Sequence, residues 1–409
     1  MSWNKFLALP VTAVVLSGAY GCASQDAQKP AAPSVLSTIR QELRGPASHV
    51  VVAEGNGTLS VIDTARDEVA LRSRSAVISP SGTLFYEHRR ASVITTDLAT
   101  LQRVGRISVP EGMELQVAST SERYLAFAET HESEASSWIP AGRARTKITV
   151  VSTNQTSPPR TYDLKGNFDI EAFSTDDRRL FLIEYLPAQN PWHYGLRRLA
   201  LENGKVREIA RTKQNAPGEM NGTGRLSLFS PAGHELYTLY TQQGPNYTHT
   251  APEDAPSGEV YAFVHLLNLE GAWTHCIDLP APFGTGPVTS HAMAISGDGS
   301  LLYIADPSSG GLAVIDPRTK RVLRSVTVDL RALRDGVTAS VAGDGTLYLA
   351  GGTRVLAFDG ESLQLLRETQ LERSVSGLAT SLDASRIYLS VKTGIEVLDA
   401  ATGRRLGTI

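Results

Sequence analysis

The chain is poor in cysteine, in aromatic residues and in any excess of one charge. Only two of its 409 residues are cysteines, Cys22 and Cys276, which are too few for a disulfide scaffold or a four-cysteine metal site. Its 39 basic residues face 42 acidic ones, a formal net charge of −3. That balance argues against a broad basic surface, so no nucleic-acid partner is expected. No internal apolar run is long enough to cross a bilayer.

The N-terminal segment has the pattern of an export signal. Lys5 precedes an apolar stretch, residues 6–20, that is short for a membrane span and typical of a signal-peptide core. The stretch ends in AYGC (19–22), which resembles a bacterial lipobox, so residues 1–21 are predicted to be a signal peptide and Cys22 the lipidated N-terminus. Residues 22–34 are then a flexible tether. This resemblance implies a lipid-anchored protein of the cell envelope, and a soluble secreted protein is the alternative.

The rest of the chain repeats a two-part pattern. A tight turn lies between two apolar runs, as in ISGDGSLLYIA (295–305) and VAGDGTLYLA (341–350). An apolar strand ending in Asp or another turn-forming residue follows, as in LAVIDPRT (312–319) and IEVLDAAT (395–402). Gly, Asp, Asn and Ser suit the turn positions, and the runs are rich in β-formers. Four short strands per unit and almost no helix predict an all-β fold, a β-propeller of four-stranded blades.

One segment, LLYIADPSSGGLAVIDPRTKRVLRSVTV (301–328), is similar to the YVTN-type propeller repeats of bacterial extracytoplasmic proteins. The similarity covers residues 49–409 at the level of the repeat pattern and is strongest in the last three units. It implies a WD40-like propeller fold and an extracytoplasmic compartment. It implies no single activity, because such propellers carry many functions.

The number of blades follows from counting the two kinds of turn. Eight apolar strands that end in a turn-forming residue can be counted, but only seven tight turns between two apolar runs. The difference arises because residues 49–75 lack an obvious first strand. Eight blades are favoured, with the first completed by residues 35–44 or left short, and seven blades are the alternative. Residues 35–409 are then one propeller domain, expected to be a monomer.

Three consecutive units in the middle of the chain are longer than the rest. Their extra length falls between the second and third strands, at about 129–147, 185–196 and 241–260. Because strand direction alternates within a blade, these insertions must gather on one face. Long loops are often functional, so this face is the predicted site of function.

The insertions carry side chains suited to recognition. The candidate ligand- or partner-binding residues are Trp138, Glu184, Trp192, His193, Tyr194, Tyr247, His249 and His291. Exposed Trp, Tyr and His are typical anchors, and the alternative is that the aromatic rings hold long loops onto the propeller. The His and Glu residues have no fixed ligand spacing, and HESEA (131–135) is not HExxH, so no metal is expected.

Two hypotheses for function remain. The GxSxG, P-loop, CxxC and EF-hand signatures are absent, and VLDAATGRRLG (397–407) resembles a quinoprotein docking motif but lacks its Trp, so no cofactor is predicted and catalytic residues are unknown. The first hypothesis is a binding or scaffold module, tethered to the membrane through Cys22, for an unknown protein or small molecule. The alternative is an envelope enzyme, a lactonase-like hydrolase or dehydrogenase subunit, with His193, His249, His291 and Glu184 as acid or base groups.

Overall fold

The computed structural model describes residues 49–54, 57–129, 140–213, 218–220, 224–243, 261–284, 290–333 and 336–409. Its strands form eight separate sheets that follow one another along the chain and are antiparallel except for one short strand. The protein is an eight-bladed β-propeller. The prediction of eight four-stranded blades is confirmed, and the seven-bladed alternative is wrong. Within the described ranges, no helix has the length and apolar content that a membrane crossing needs.

The strands are numbered in chain order, four to a blade except in blades 1 and 5. Blades 1 to 4 contain β1 (His49–Ala53), β2 (Leu59–Asp63) and β3 (Glu68–Ser73); β4 (Ala76–Ile78), β5 (Leu84–Arg89), β6 (Ser92–Asp97) and β7 (Arg103–Ser108); β8 (Met113–Ala118), β9 (Tyr124–Glu129), β10 (Arg145–Ser152) and β11 (Arg160–Lys165); β12 (Asn167–Phe173), β13 (Arg179–Leu186), β14 (His193–Ala200) and β15 (Val206–Glu208).

Blade 5 gains a fifth strand from the chain that leaves blade 4. Blades 5 to 8 contain β16 (Ala210–Arg211), β17 (Gly224–Phe229), β18 (Glu235–Thr241), β19 (Phe263–Asn268) and β20 (Trp273–Asp278); β21 (Ala292–Ile295), β22 (Leu302–Asp306), β23 (Gly311–Asp316) and β24 (Arg321–Thr327); β25 (Val337–Val341), β26 (Thr346–Gly351), β27 (Arg354–Asp359) and β28 (Leu365–Gln370); β29 (Val375–Thr380), β30 (Arg386–Val391), β31 (Gly394–Asp399) and β32 (Arg405–Thr408). β16 pairs in parallel with β20, so this short segment links two neighbouring blades.

Each blade runs from the propeller axis to its rim in sequence order. First strands of neighbouring blades contact each other, as β21, β25 and β29 do. Fourth strands such as β7, β24 and β28 expose most of their side chains. The apolar side chains between these limits pack in the gaps between blades, so the core is a ring of interfaces rather than one centre.

Blade 1 has three strands among the residues that the structure describes. β2 is fully buried and β3 is partly exposed, which matches the third and fourth strands of other blades. A β-bulge between Val61 and Ile62 recurs between Val314 and Ile315, where the third strand of blade 6 pairs with its fourth. β1 is therefore the second strand of its blade. The segment proposed for the first strand, residues 35–44, lies outside the described residues.

The ring closes where blade 8 meets blade 1. Val52 and Ile62 pack with Ala379 and Tyr388 in one buried cluster. Gly377 approaches β1 so closely that a Cβ atom there would lie 2.3 Å from the Ala53 carbonyl oxygen. Only glycine allows this contact, because that separation is far below van der Waals distance.

Blade 4 differs from the expectation for its insertion. β13 and β14 contain eight residues each, so much of the expected loop at 185–196 is strand and the connection is residues 187–192. Tyr185 pairs with Tyr194, and both rings are buried. The longer hairpin forms because the added pairing buries this apolar area against blade 5.

Candidate functional site

One face of the propeller, the insert face, carries the connections between the second and third strands of each blade. In blades 3, 4 and 5 these connections are residues 130–144, 187–192 and 242–262. In blades 7 and 8 each has only two residues, 352–353 and 392–393. Alternating strand direction places all of them on the same face. Three neighbouring blades therefore carry most of the extra chain of the insert face.

The predicted site residues fall into two groups. Trp138, Tyr247 and His249 lie outside the residues that the structure describes, as does Cys22. The remaining five are placed by the structure and are Glu184, Trp192, His193, Tyr194 and His291.

The hairpin of blade 4 presents an exposed aromatic ring at its end. Trp192 is 61% exposed, and its ring centroid lies 4.0 Å from that of His193. His193 Nε2 lies 3.1 Å from Glu219 Oε2. Glu184 Oε2 lies 2.7 Å from Arg197 Nε. The hairpin end is therefore held by the His193–Glu219 contact and the Glu184–Arg197 ion pair, and the Trp192 ring projects from it.

Tyr194 has a different environment although it follows Trp192 by two residues. Tyr194 is 5% exposed. Its ring centroid lies 6.0 Å from that of Tyr185 and 5.6 Å from that of Tyr240. Tyr240 continues the contacts to Phe263 at 5.3 Å. These rings fill the gap between blades 4 and 5, so Tyr194 supports the insert face from below.

His291 lies in the chain that enters blade 6 from the insert face. Its Nε2 lies 3.1 Å from Asp306 Oδ2, and both side chains are fully buried. The amides of Gly284 and Ser308 donate hydrogen bonds to the same carboxylate, at 3.1 and 3.0 Å. Burial by itself would raise the pKa of Asp306, but the adjacent His291 and the amide hydrogen bonds lower it below its ordinary range. The pair fastens the connection before β21 onto blade 6.

A buried polar network between blades 3 and 4 was missed by the sequence reasoning. Arg143 Nε donates a hydrogen bond of 2.7 Å to Asn167 Oδ1, and its Nη2 lies 3.2 Å from Asp169 Oδ1. Tyr185 Oη donates to Asp169 Oδ2 at 2.8 Å. Burial lowers the pKa of Arg143 below its ordinary value, even though Asp169 acts in the opposite direction. The network therefore compensates two charges that would be costly to bury alone.

The same network joins two insert-face connections. Asn167 Nδ2 donates hydrogen bonds to the carbonyl oxygens of Ala141, at 3.1 Å, and Ala188, at 3.3 Å. The signal in the sequence was NFDIEAF (167–173), an apolar strand that contains two acids and is buried throughout. Buried carboxylates need partners, so this strand pointed to a cation nearby without identifying Arg143.

The opposite face, named here the turn face, carries the turns between the first and second strands of each blade. Some of these turns contact turns of other blades. Thr120 Oγ1 of blade 3 donates a hydrogen bond of 3.0 Å to the Gly233 carbonyl of blade 5. A Cβ at Gly233 would lie 2.9 Å from Thr120 Cγ2 and 3.3 Å from Pro80 Cβ of blade 2. Blades 3 and 5 are separated by blade 4, so their turns can meet only near the axis. The turns of blades 2, 3 and 5 therefore contact one another on the turn face.

The described part of the insert face offers no ready metal centre. Across the ranges that the structure describes, no group of three or more His, Cys, Asp or Glu side chains could hold a metal ion. Glu184 and His193 lie on one hairpin but contact different partners, and His291 lies in blade 6. The described members of the acid and base set proposed from the sequence thus each have a partner outside that set.

Comparison with solved structures gives the fold. Dihydro-heme d1 dehydrogenase NirN in complex with DHE is 15% identical, with a TM-score of 0.51, over 100% of this chain and 80% of that one. Kuenenia stuttgartiensis hydrazine synthase is 14% identical, with a TM-score of 0.45, over 87% of this chain and 93% of that one. The β-propeller domain of Myceliophteria thermophila Cps50 (Swd1) is 12% identical, with a TM-score of 0.41, over 82% of this chain and 84% of that one.

The likeness to NirN extends to the fold and no further, because function on a propeller resides in loops and sites that an identity this low does not preserve. No protein-family model and no curated protein sequence matches the chain.

Proposed function

We propose that this protein is a membrane-tethered binding module of the cell envelope that recognises a partner or small ligand through its insert face. The observation that carries the proposal is the exposure of Trp192 on a braced hairpin. Tryptophan is a preferred anchor of binding interfaces, because a rigid ring buries a large area on contact.

The structure beneath Trp192 supports a preorganised surface. The buried Arg143–Asp169 contact and the Tyr194–Tyr240 contact join the insert-face ends of blades 3, 4 and 5. A surface that is already ordered loses less conformational entropy when it binds. This favours recognition without a large rearrangement.

The enzyme alternative, a hydrolase or dehydrogenase subunit, has less support. A general acid or base must reach its substrate. His291 is fully buried against Asp306, and Glu184 is held by Arg197. These partners suit structural roles better than proton transfer.

The tether and the compartment are part of the same proposal. The AYGC segment (19–22) supports lipidation at Cys22, and residues 22–34 provide the spacer. Membership of the YVTN-type repeat proteins is supported by the regular strands β22–β24, which fall within the segment 301–328 that resembles those repeats. Palmitate labelling and membrane fractionation of the wild type and Cys22→Ser test this part. We expect label and membrane association to be lost together in the variant, and a labelled or membrane-bound variant would contradict the tether.

The recognition surface is tested by site-specific photo-crosslinking in the native envelope. A photoreactive amino acid replaces Trp192 in one protein and Leu365 in the control, since Leu365 is 52% exposed but lies on the rim in β28. We expect a discrete adduct from position 192 and none from position 365. The captured partner, once identified, is then expected to bind Trp192→Ala at least tenfold more weakly than the wild type.

Small ligands are tested by a thermal-shift screen with divalent metals, sugars, lactones, quinones and amines. A ligand of the insert face should raise Tm in the wild type and not in Trp192→Ala or His193→Ala. Failure of both the crosslinking and the ligand screen would overturn the proposal. Turnover of a lactone or quinone that is lost in His193→Ala would instead favour the enzyme alternative.

A further inference from the structure

Blade 4 carries a second feature near the turn face, far along the strands from Trp192. It is a pocket of about 200 Å³, named here the basic pocket. Four of its six lining residues are basic, and the set is Arg179, Arg198, Ala200, Asn203, Lys205 and Arg207. Its position at the start of β13 and the end of β14 separates it from the insert face.

The strand register directs the basic side chains to one side of the blade. Arg198 lies directly opposite Arg207, and Arg179 lies directly opposite Ala200. Directly opposed residues of antiparallel strands point to the same face, with Cβ atoms about 4.5–5.5 Å apart. Arg198 and Ala200 are two residues apart on β14 and so share that face. Three guanidinium groups therefore line one side of the sheet.

The other side of the same strands carries residues of opposite charge next to each other. There Arg197 lies opposite Glu208, and its Nε lies 2.7 Å from Glu184 Oε2. Opposite charges across strands stabilise a sheet, and like charges directly opposite destabilise it. The Arg198–Arg207 pairing is thus unfavourable in the protein alone, whereas the next pair along the same two strands, Arg197 and Glu208, is favourable.

The basic pocket has little internal compensation for its charge. Within the part of the chain that the structure describes, no carboxylate lies within 4.0 Å of Arg198, Lys205 or Arg207. Arg179 reaches Asp176 only at 4.0 Å. Four cationic side chains therefore line the basic pocket, two of them, Lys205 and Arg207, exposed to solvent.

We propose that the basic pocket binds a tetrahedral oxyanion, such as phosphate, sulfate or the terminal phosphate group of a larger molecule. Guanidinium groups donate paired hydrogen bonds that match the oxygens of phosphate, and an anion between Arg198 and Arg207 removes their repulsion. Whole drug-sized ligands occupy pockets of about 300–1,000 Å³, so about 200 Å³ suits a single anionic group.

Calorimetry with inorganic phosphate at fixed ionic strength tests the proposal on the full chain. We expect saturable binding in the millimolar range or tighter for the wild type. Binding should weaken at least tenfold in Arg198→Gln/Arg207→Gln. The matched control, Arg321→Gln/Arg324→Gln, removes the same charge from the exposed fourth strand of blade 6 and should bind as the wild type does.

A second variant separates loss of binding from loss of folding. Arg207→Glu places a carboxylate directly opposite Arg198, so it should abolish phosphate binding while Tm stays the same or rises by about 1–2 °C. The proposal is overturned if phosphate does not bind the wild type. It is also overturned if Arg207→Glu binds as well as the wild type, or if the blade 6 control loses binding equally.

The source of the anion is resolved by a vesicle assay. Vesicles of phosphatidylcholine with and without phosphatidylglycerol are sedimented with Cys22→Ser and with Cys22→Ser/Arg207→Glu at about 0.15 M salt, so that no lipid anchor holds either protein on the vesicles. Retention of the protein with the intact pocket alone, reversed by free phosphate, assigns the pocket to lipid phosphate. Calorimetric binding without vesicle retention assigns it to a soluble anion. Vesicle retention that is equal for both proteins counts against the pocket as the lipid contact.

Discussion

Blades 3 to 5 and blades 6 to 8 use the same strand unit but fasten their insert-face ends differently. In blades 7 and 8, two-residue connections close the hairpins and leave little chain to fasten. In blades 3 to 5, side chains reach across to the next blade, as Arg143 reaches Asp169 and Tyr194 reaches Tyr240. Extra chain on a propeller thus comes with buried contacts that hold its base, and Trp192 stands out by lacking such burial.

Blade 6 is intermediate between these two regions. Its own hairpin connection is short, but the chain entering it from blade 5, residues 279–291, is long. That chain is fastened by the buried pair of His291 and Asp306. A buried pair thus holds the long connection before blade 6, and substitutions of buried and exposed contacts should differ in their cost to the free energy of unfolding.

The largest effect is expected for Tyr194→Ala in the insertion region. Removing a fully packed ring between blades 4 and 5 should lower the free energy of unfolding by about 4 kcal/mol, from lost burial and a residual cavity. The urea midpoint of the full chain measures it. Trp192→Ala, two residues earlier and exposed, should change stability by no more than about 0.5 kcal/mol. Equal losses from the two variants would contradict the assignment of one ring to packing and the other to recognition.

Next in size is Arg143→Ala. It leaves Asp169 buried without its cation, which should cost about 3 kcal/mol in unfolding free energy. Equilibrium denaturation at neutral pH checks this. Arg145→Ala is the matched control, because Arg145 pairs with Asp163 at the surface and should lose little stability. A small change in unfolding free energy for Arg143→Ala would mean that water replaces the guanidinium beside Asp169. The contact between blades 3 and 4 would then be open to solvent, contrary to the structure.

The general architecture was predictable because it depends on local patterns. Turn residues between β-forming runs recur along the chain, and one such unit is one blade, so counting units favoured eight blades over seven. The gathering of insertions on one face followed from strand alternation alone. Neither inference needed to know which side chains touch.

The anchors were not predictable because they depend on contacts between blades. From the sequence, Trp192 and Tyr194 have the same interpretation, as aromatic residues of one insertion. In the structure Trp192 precedes β14 and is exposed, whereas Tyr194 lies within β14 and is buried. His291 was chosen as a site residue by its place on the insert face, and its burial depends on Asp306 at the end of β22. The opposition of Arg198 and Arg207 depends on strand register, which two residues of loop length would change.

The smallest of the three effects on stability is expected in blade 6, from Asp306→Asn. The amide keeps an acceptor for the Ser308 N–H but loses the charge that faces His291 and Gly284, so unfolding free energy should fall by about 2 kcal/mol at neutral pH.

The folded state lowers the pKa of Asp306 below its ordinary 3.8, so the carboxylate's contribution to stability is complete above that value and is lost as pH falls through the folded value. Wild-type Tm should therefore drop more steeply than that of the variant as pH falls below about 4, and the two curves should converge once Asp306 is protonated. Asp344→Asn, in an exposed turn of blade 7, is the control and should change stability little. Parallel curves for the wild type and Asp306→Asn would show that the buried charge does not fasten residues 279–291, and blade 6 would then belong with blades 7 and 8 in needing no anchor.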